Sequence, residues 1–429
     1  MGGMTIASRA RPAMPWFRRT VAAGTASALI LTGGAAAAGA LPGANSPVQQ
    51  QYLSAPILSG IDATDIPSPL PPQGSLIRSS PLDSAVRVPD SGLSYRILYS
   101  TLNHRGEPAV STGTVSVPPG TPPPGGWPAI IWGHGTTGIG DDCAPSTLPS
   151  SPSREVAANY PSYWLRQGYA VVATDYAGLG TQGLHAYLNT QAAANSMLDA
   201  ATAAHGLNLR LSRTAVALGH SQGGAAALAA ASAAPTGNGA LDFRGAVAVA
   251  PAAHTDALRQ SVRPSPETLP GNLTAYAFYA LAGFRDTYPD LDIDARLTGK
   301  GRELLALAER LCSSEMGVAA RPYRMSELFA EPLSDIPGFD QALDEYMRLP
   351  SNGYSTSLLI VSGLDDDLPP EPAVRLAEEI QESGGHAVSR TYPGATHVSV
   401  LEHSLDDVQS FIGALFSPNP ERALDAAGF

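Results

Sequence analysis

Charge is scarce in this chain and cysteine scarcer still, and no strongly apolar stretch reaches membrane-spanning length. Only 15% of the 429 residues are charged while 44% are hydrophobic, which excludes a disordered chain and allows one large domain or two ordinary ones with a sizeable core. The one strongly apolar core, around Ala28 to Leu31, is short and runs into glycine and alanine, which argues against a spanning helix. Acids are missing from the first 40 residues, which carry Arg9, Arg11, Arg18 and Arg19 and then the stretch "VAAGTASALILTGGAAAAGA". That pattern predicts an export signal over residues 1–40, with small residues suited to cleavage near Ala38 to Ala44 and no integral membrane segment in the mature chain. Arg18-Arg19 raises twin-arginine export, although the residues that follow fit that signal poorly.

The formal charge is −12, and losing those four arginines takes it to −16. An acidic surface repels nucleic acid and anionic lipid head groups, so neither is expected as a main partner, and neutral small-molecule or lipid substrates fit better. The two cysteines, Cys143 and Cys312, suggest one disulfide in an exported chain, stabilising by about 5 kcal/mol through loop closure. Two separate buried thiols are the alternative.

From Asn45 to Asp90 the chain is rich in proline, serine and glycine and reads as an extended arm. Then "YRILYSTLN" and "AVSTGTVSVP", joined through "HRGEP", read as a hairpin. Strands follow at "PAIIWGH", "YAVVATDY", "AVALGH", "GAVAVAP" and "SLLIVSG", mostly unbroken apolar runs of the kind covered on both faces in a parallel sheet. Helical stretches around Ser162–Gln167, Ala192–His205, Ala225–Ala233 and Ala373–Ser383 alternate with them, an α/β, doubly wound layout. Residues 253–352 lack a convincing strand and carry "TAYAFYALAGF", "GRELLALAERLCSSEM" and "FDQALDEYMRL", so they read as a helical insertion at the carboxyl end of the sheet. It divides a core of residues 91–252 and 353–429.

In "ALGHSQGGAAALAAA", a buried strand at Thr214–Leu218 meets an alanine-rich helix, and Ser221 stands at the turn between Gly219 and Gly223. G-x-S-x-G at such a turn is a nucleophile elbow, because the residues two before and two after the serine crowd each other unless both are small. A serine helix cap on a glycine-softened start is the alternative. A nucleophilic hydroxyl needs a base, and the base needs an acid that holds its tautomer. In the chain order Ser, acid, His, "LLIVSGLDDDLPP" offers Asp366, with Asp365 in reserve, and His397 lies in "YPGATHVSV", a loop after the last strand. His386 opens a strand and His403 lies on a helix, while His134, His185 and His220 read as structural. For the oxyanion hole, Gln222 N–H follows the nucleophile, and "WGHGTTGIG" supplies Thr136 N–H first and Gly135 second. Tyr276, Phe278, Tyr279 and Leu304 line an acyl site or form cap core.

Two cofactor patterns fail on what is missing. G-x-G-x-x-G occurs at Gly133, Gly135, Gly138 and at Gly178, Gly180, Gly183, but no helix opens at either third glycine to meet a pyrophosphate. Counting from Asp290, the sixth position is Ala295 rather than glycine and the twelfth Gly301 rather than glutamate, so no calcium loop is expected. The serine chemistry needs neither metal nor organic cofactor.

"HGTTG", "CAPS", "DYAGLGTQGLHAYL", "GHSQGG", "GLDDDLPP" and "YPGATH", in this order and with helices before the acid, resemble the secretory lipase family from about Gly74 to Phe416. The resemblance implies a serine α/β-hydrolase fold with a helical cap, an acyl-binding tunnel and carboxylic ester hydrolase activity, with Ser221 as nucleophile, Asp366 as acid and His397 as base. It also implies a cap disulfide between Cys143 and Cys312. One departure is Gly135, where the family's yeast member bears an acidic residue. Cutinases share a similar serine hexapeptide but are shorter and uncapped. A serine peptidase or acyltransferase on the same fold is the alternative function, and a non-catalytic surface protein a more distant one.

Overall fold

Aliphatic and β-branched runs become strands here because a pleat covered from both sides buries every side chain it carries. A computed structural model describes residues 60–82, 87–147, 152–234, 241–253 and 255–429, with only the backbone described at 152–158 and 255. The export signal expected over residues 1–40 and the first part of the arm lie outside the described residues. The strands are β1 (Leu76–Pro81), β2 (Leu93–Leu102), β3 (Pro108–Val117), β4 (Trp127–Gly133), β5 (Ala170–Thr174), β6 (Leu211–His220), β7 (Asp242–Val249), β8 (Ser357–Gly363) and β9 (Ala387–Tyr392). Among the described residues they form one sheet in the order β1-β2-β3-β5-β4-β6-β7-β8-β9. β1, β2, β3 and β5 pair antiparallel, and from β5 through β4 to β9 the pairing is parallel.

Alternation along each strand sends side chains to opposite faces. One face is built from small residues, Ala129, Ala215, Ala217, Ala246 and Ala248, and meets the helices Thr190–Ala204 and Gln222–Ala233. Alanines on both sides let the second helix sit close to the sheet, and it is buried along most of its length. The other face carries Ile130, Trp132, Val216, Leu218, Val247 and Val249 against Trp164 of the helix Pro152–Arg166 and Phe411 and Ile412 of the helix Leu405–Leu415.

Between β7 and β8 the described chain is helical, with its own apolar cluster containing Phe278, Tyr279, Leu304, Leu328 and Phe339. Tyr276 packs partly buried against that cluster.

Three details differ from the sequence reading. The arm contributes β1, an edge strand that "LIRSSP" disguises because it has no apolar alternation. β6 is longer than Thr214–Leu218. "GRELLALAERLCSSEM" is two helices, Gly299–Ala308 and Ser313–Ala320, broken where Cys312 leaves the helical backbone to form a bridge with Gly138 and where the Glu315 carboxylate accepts from its N–H.

Cys143 and Cys312 are disulfide-bonded, with Cα atoms 5.4 Å apart across 169 residues of chain. Closing so long a loop restricts the unfolded chain strongly, so a Cys143→Ser/Cys312→Ser variant should lose about 2–5 kcal/mol of stability. Urea unfolding without reductant measures this, and a loss under about 1 kcal/mol would refute it.

His134 and His220 stand at the carboxyl ends of β4 and β6, and His185 in the loop that follows β5, all three buried. Burial pushes all three imidazoles down, His185 and His220 to about 3; His134 adds to the shift at His185 and His397 to that at His220. The unfolded chain binds protons at these sites near pH 6.5 and the folded one does not, so stability is full above about 6.5 and falls as pH drops toward 3. Each such histidine adds a slope of up to about 1.4 kcal/mol per pH unit in that window. Urea midpoints at pH 7, 5.5 and 4.5 should fall in that order, and a flat series would exclude the effect.

Candidate active site

Ser221 follows β6 directly and takes φ 56°, ψ −117°, a left-handed conformation that costs an ordinary residue about 1–3 kcal/mol. Hydrogen bonds hold it there: its N–H donates to the Val249 carbonyl at 2.8 Å, and its carbonyl accepts from the N–H groups of Gly224 at 2.9 Å and of Ala225 and Ala252 at 3.2 Å each. The flanking glycines are steric necessities. A Cβ on Gly219 would lie 1.9 Å from the Gly223 carbonyl oxygen, and one on Gly223 would lie 1.9 Å from that of Gly133. Strand β4, strand β6 and the following helix therefore touch backbone to backbone beneath the serine.

The loops after β8 and β9 are knitted together. Asp365 N–H donates to the Ala395 carbonyl at 3.0 Å and Leu364 N–H to that of Tyr392 at 3.0 Å. A side chain on Gly363 would collide with the Ala395 carbonyl at 2.2 Å. This docking brings Asp366 and His397 together: His397 Nδ1 lies 2.7 Å from Asp366 Oδ2, and its Nε2 lies 2.9 Å from Ser221 Oγ. Since the carboxylate accepts, Nδ1 carries the proton in the neutral ring and Nε2 is free to accept from the serine hydroxyl. Asp366 Oδ1 also accepts from Leu368 N–H at 2.9 Å. Burial pushes the Asp366 carboxyl up, but the hydrogen bond and charge of His397 and the Leu368 N–H outweigh it and hold the carboxyl below its ordinary value. Asp365, the reserve choice, is exposed, and its backbone rather than its carboxylate makes the contact.

The loop after β4 lies against Ser221. A Cβ on Gly135 would come within 3.6 Å of Ser221 Cβ and 3.0 Å of His220 Nδ1, so a side chain at this position would press on the His220 ring. Next to it, the Thr136 hydroxyl is 2.6 Å from the Tyr187 hydroxyl. Gln222 opens the helix after Ser221, where N–H groups have no acceptor within the helix. Its side-chain Nε2 donates to His185 Nε2 at 2.7 Å, and the His185 ring stacks on Tyr176, whose hydroxyl donates to the His134 carbonyl at 3.0 Å. Tyr187, Tyr176 and His185 were not candidates in the sequence. Their part is visible only once the loop after β5 is folded over, and an aromatic-rich "DYAGLGTQGLHAYL" was the one local signal.

Helical residues between β7 and β8 meet the loops around the site. Tyr187 meets Tyr279 with ring centroids 5.8 Å apart. The Tyr276 phenol is pushed up by burial, against a hydrogen bond with Asn272, and further by the Asp367 and Asp366 carboxylates. Phe278 and Leu304 sit wholly within the helical core. The helical segment is tied to the loop after β4 by the Gly138–Cys312 bridge, by Ser313 N–H donating to the Thr137 carbonyl at 2.8 Å, and by the disulfide. A separate cavity of about 300 Å³, walled by Asn103, His104, Arg105, Gln182 and Asp286 among others, contains none of Ser221, Asp366, His397, Gly135, Thr136 or Gln222. Among the described residues no cluster of His, Cys, Asp or Glu is arranged to hold a metal, and no helix is long and apolar enough to cross a membrane.

The secretory lipase family model matches residues 159–335. No curated protein matches the chain. Among solved structures, the fold is similar to Candida antarctica lipase A in its closed state, with TM-score 0.68 and 20% identity over 85% of this chain and 86% of that one. It is also similar to the rice cell wall degrading esterase LipA from Xanthomonas oryzae, with TM-score 0.61 and 21% identity over 79% of this chain and 96% of that one. A putative hydrolase from Legionella pneumophila shares it with TM-score 0.63 and 19% identity over 78% and 97%. The chain thus has an α/β-hydrolase fold like that of lipase A and is similar to the secretory lipase family over residues 159–335.

Proposed function

We propose that the protein is an exported serine esterase or lipase that cleaves neutral or lipid esters through an acyl-enzyme. The observation that carries this reading is the unbroken relay from Ser221 Oγ to His397 at 2.9 Å and from His397 to Asp366 at 2.7 Å, on an elbow with Ser221 at φ 56°. Ser221 Oγ attacks the ester carbonyl carbon while His397 Nε2 takes its proton. The carbonyl oxygen becomes an oxyanion, held by the N–H groups of Gln222 and Thr136, with Gly135 as the second candidate on that loop. Collapse of the tetrahedral intermediate expels the alcohol, which takes the proton from His397 and leaves Ser221 acylated. His397 then deprotonates water, which attacks the acyl carbon, and the acid leaves as Ser221 regains its proton. Asp366 stays ionised throughout and stabilises the imidazolium. The net negative charge supports neutral substrates, and the tyrosines Tyr276 and Tyr279 support an apolar wall for the acyl group.

Two predictions test this. Wild type should be labelled by a fluorophosphonate and should turn over p-nitrophenyl esters, and Ser221→Ala should lose both. Preference across acyl chains of two to sixteen carbons separates esterase from lipase. Labelling without cleavage of any ester would favour a peptidase or acyltransferase, and absence of both in wild type would sink the serine mechanism. In the second, Asp366→Asn should lower kcat by about 10³- to 10⁴-fold, because an amide no longer selects the tautomer or balances the imidazolium, while Asp365→Asn stays within threefold of wild type. Equal losses in the two variants would move the acid assignment away from Asp366.

A further inference from the structure

The proposed base is tethered unevenly. Its loop is bound to the acid loop through the Asp365–Ala395 and Leu364–Tyr392 backbone contacts, which fix His397 relative to Asp366. Thr396 and Ser399 close a turn within the loop, Thr396 N–H donating to Ser399 Oγ at 2.8 Å. None of these bonds fixes His397 relative to Ser221, which belongs to a different strand 176 residues earlier. His220 does. It is the last residue of β6, it is buried, and its Nε2 lies 2.8 Å from the main-chain carbonyl oxygen of His397. A carbonyl only accepts, so Nε2 carries the proton and Nδ1 is the bare nitrogen. Nδ1 faces the loop after β4, where a Cβ on Gly135 would be only 3.0 Å away. The two imidazoles also pack directly, with ring centroids 5.0 Å apart at 48°.

We infer that His220 is a positioning residue for the reaction: its imidazole pins the His397 backbone to the nucleophile strand and seats Gly135 of the oxyanion loop, setting the Ser221–His397 distance. This rests on the reading of Ser221 as nucleophile and His397 as base. The burial that keeps the ring neutral also keeps the arrangement intact through the working pH range, with one nitrogen donating and the other bare. Displacing a reacting group by about 1 Å costs on the order of a hundredfold in rate, whereas His220 is buried rather than open to a ligand, so the loss falls on kcat rather than KM.

The test compares wild type, His220→Leu, His220→Gln and Ser221→Ala on p-nitrophenyl butyrate, together with the low-field proton resonance of His397 Nδ1–H. Leucine fills the space without a donor, and glutamine returns an amide N–H at a similar reach. His220→Leu should lose about 100-fold in kcat with KM within threefold and should broaden the low-field proton, while His220→Gln recovers at least tenfold of the loss and sharpens it. A His220→Leu kcat within threefold of wild type overturns the proposal, and so do equal losses in both variants. If His220→Leu does not fold, His220→Asn, whose amide is too short to reach the carbonyl, replaces it with the same expectation. Wild type no more active than Ser221→Ala would reject the nucleophile reading itself; the resonance then decides alone, and an unchanged signal in His220→Leu overturns the positioning role.

Discussion

The backbone of Ser221 is the constraint on which the rest of the site depends. A positive φ at a serine is stable only if the surrounding chain over-determines it. Here Gly133, Gly219 and Gly223 lie so close that no side chain fits between them. That contact fixes the separation of β4, β6 and the helix Gln222–Ala233, and it explains why the sheet beneath is lined with alanine rather than larger residues. A bulkier side chain at Ala217 or Ala248 would push the helix outward, and the serine with it. The small-residue face of the sheet is thus a consequence of the elbow.

The loop after β4 is held from two sides. The core holds it through Gly135 against His220 and through the Tyr176 hydroxyl on the His134 carbonyl. The helical segment holds it through the Gly138–Cys312 bridge, the Ser313–Thr137 hydrogen bond and the disulfide. The helices are therefore joined to the loop whose neighbouring residues would bind an oxyanion. A rearrangement of these helices on the Cys312 side must either leave that junction fixed or carry the loop with it.

What was legible in the sequence followed from short-range rules. Apolar runs marked the buried strands because both faces of a parallel sheet are covered, and G-x-S-x-G marked the elbow because its crowding is local. Asp366 and His397 were readable as candidates because they follow strand ends in a fixed order, and the structure brings Ser221, His397 and Asp366 within hydrogen-bonding distance. β1 escaped notice because an edge strand with one face open needs no apolar pattern. The break at Cys312 escaped because it is imposed by a partner at Gly138, far away in the chain. His220 read as structural because its acceptor is 177 residues downstream, and no spacing rule connects the two.

Electrostatics gives a reason for the buried histidines to be neutral. In the proposed reaction His397 becomes an imidazolium with the His220 ring only 5.0 Å away. Were His220 charged, the repulsion would be about 3 kcal/mol at an effective dielectric near 20, roughly a hundredfold in the equilibrium for charging the base. Burial at the end of β6 removes that penalty by keeping His220 uncharged, and His185 beneath Gln222 is neutral for the same reason. Asp366 experiences burial too, yet its bonds to His397 and to Leu368 N–H keep it ionised. Of the titratable groups packed against Ser221 and His397, the negative one is thus held charged and the basic one beside it held neutral, so the charge that develops on His397 meets one attraction and no opposing cation.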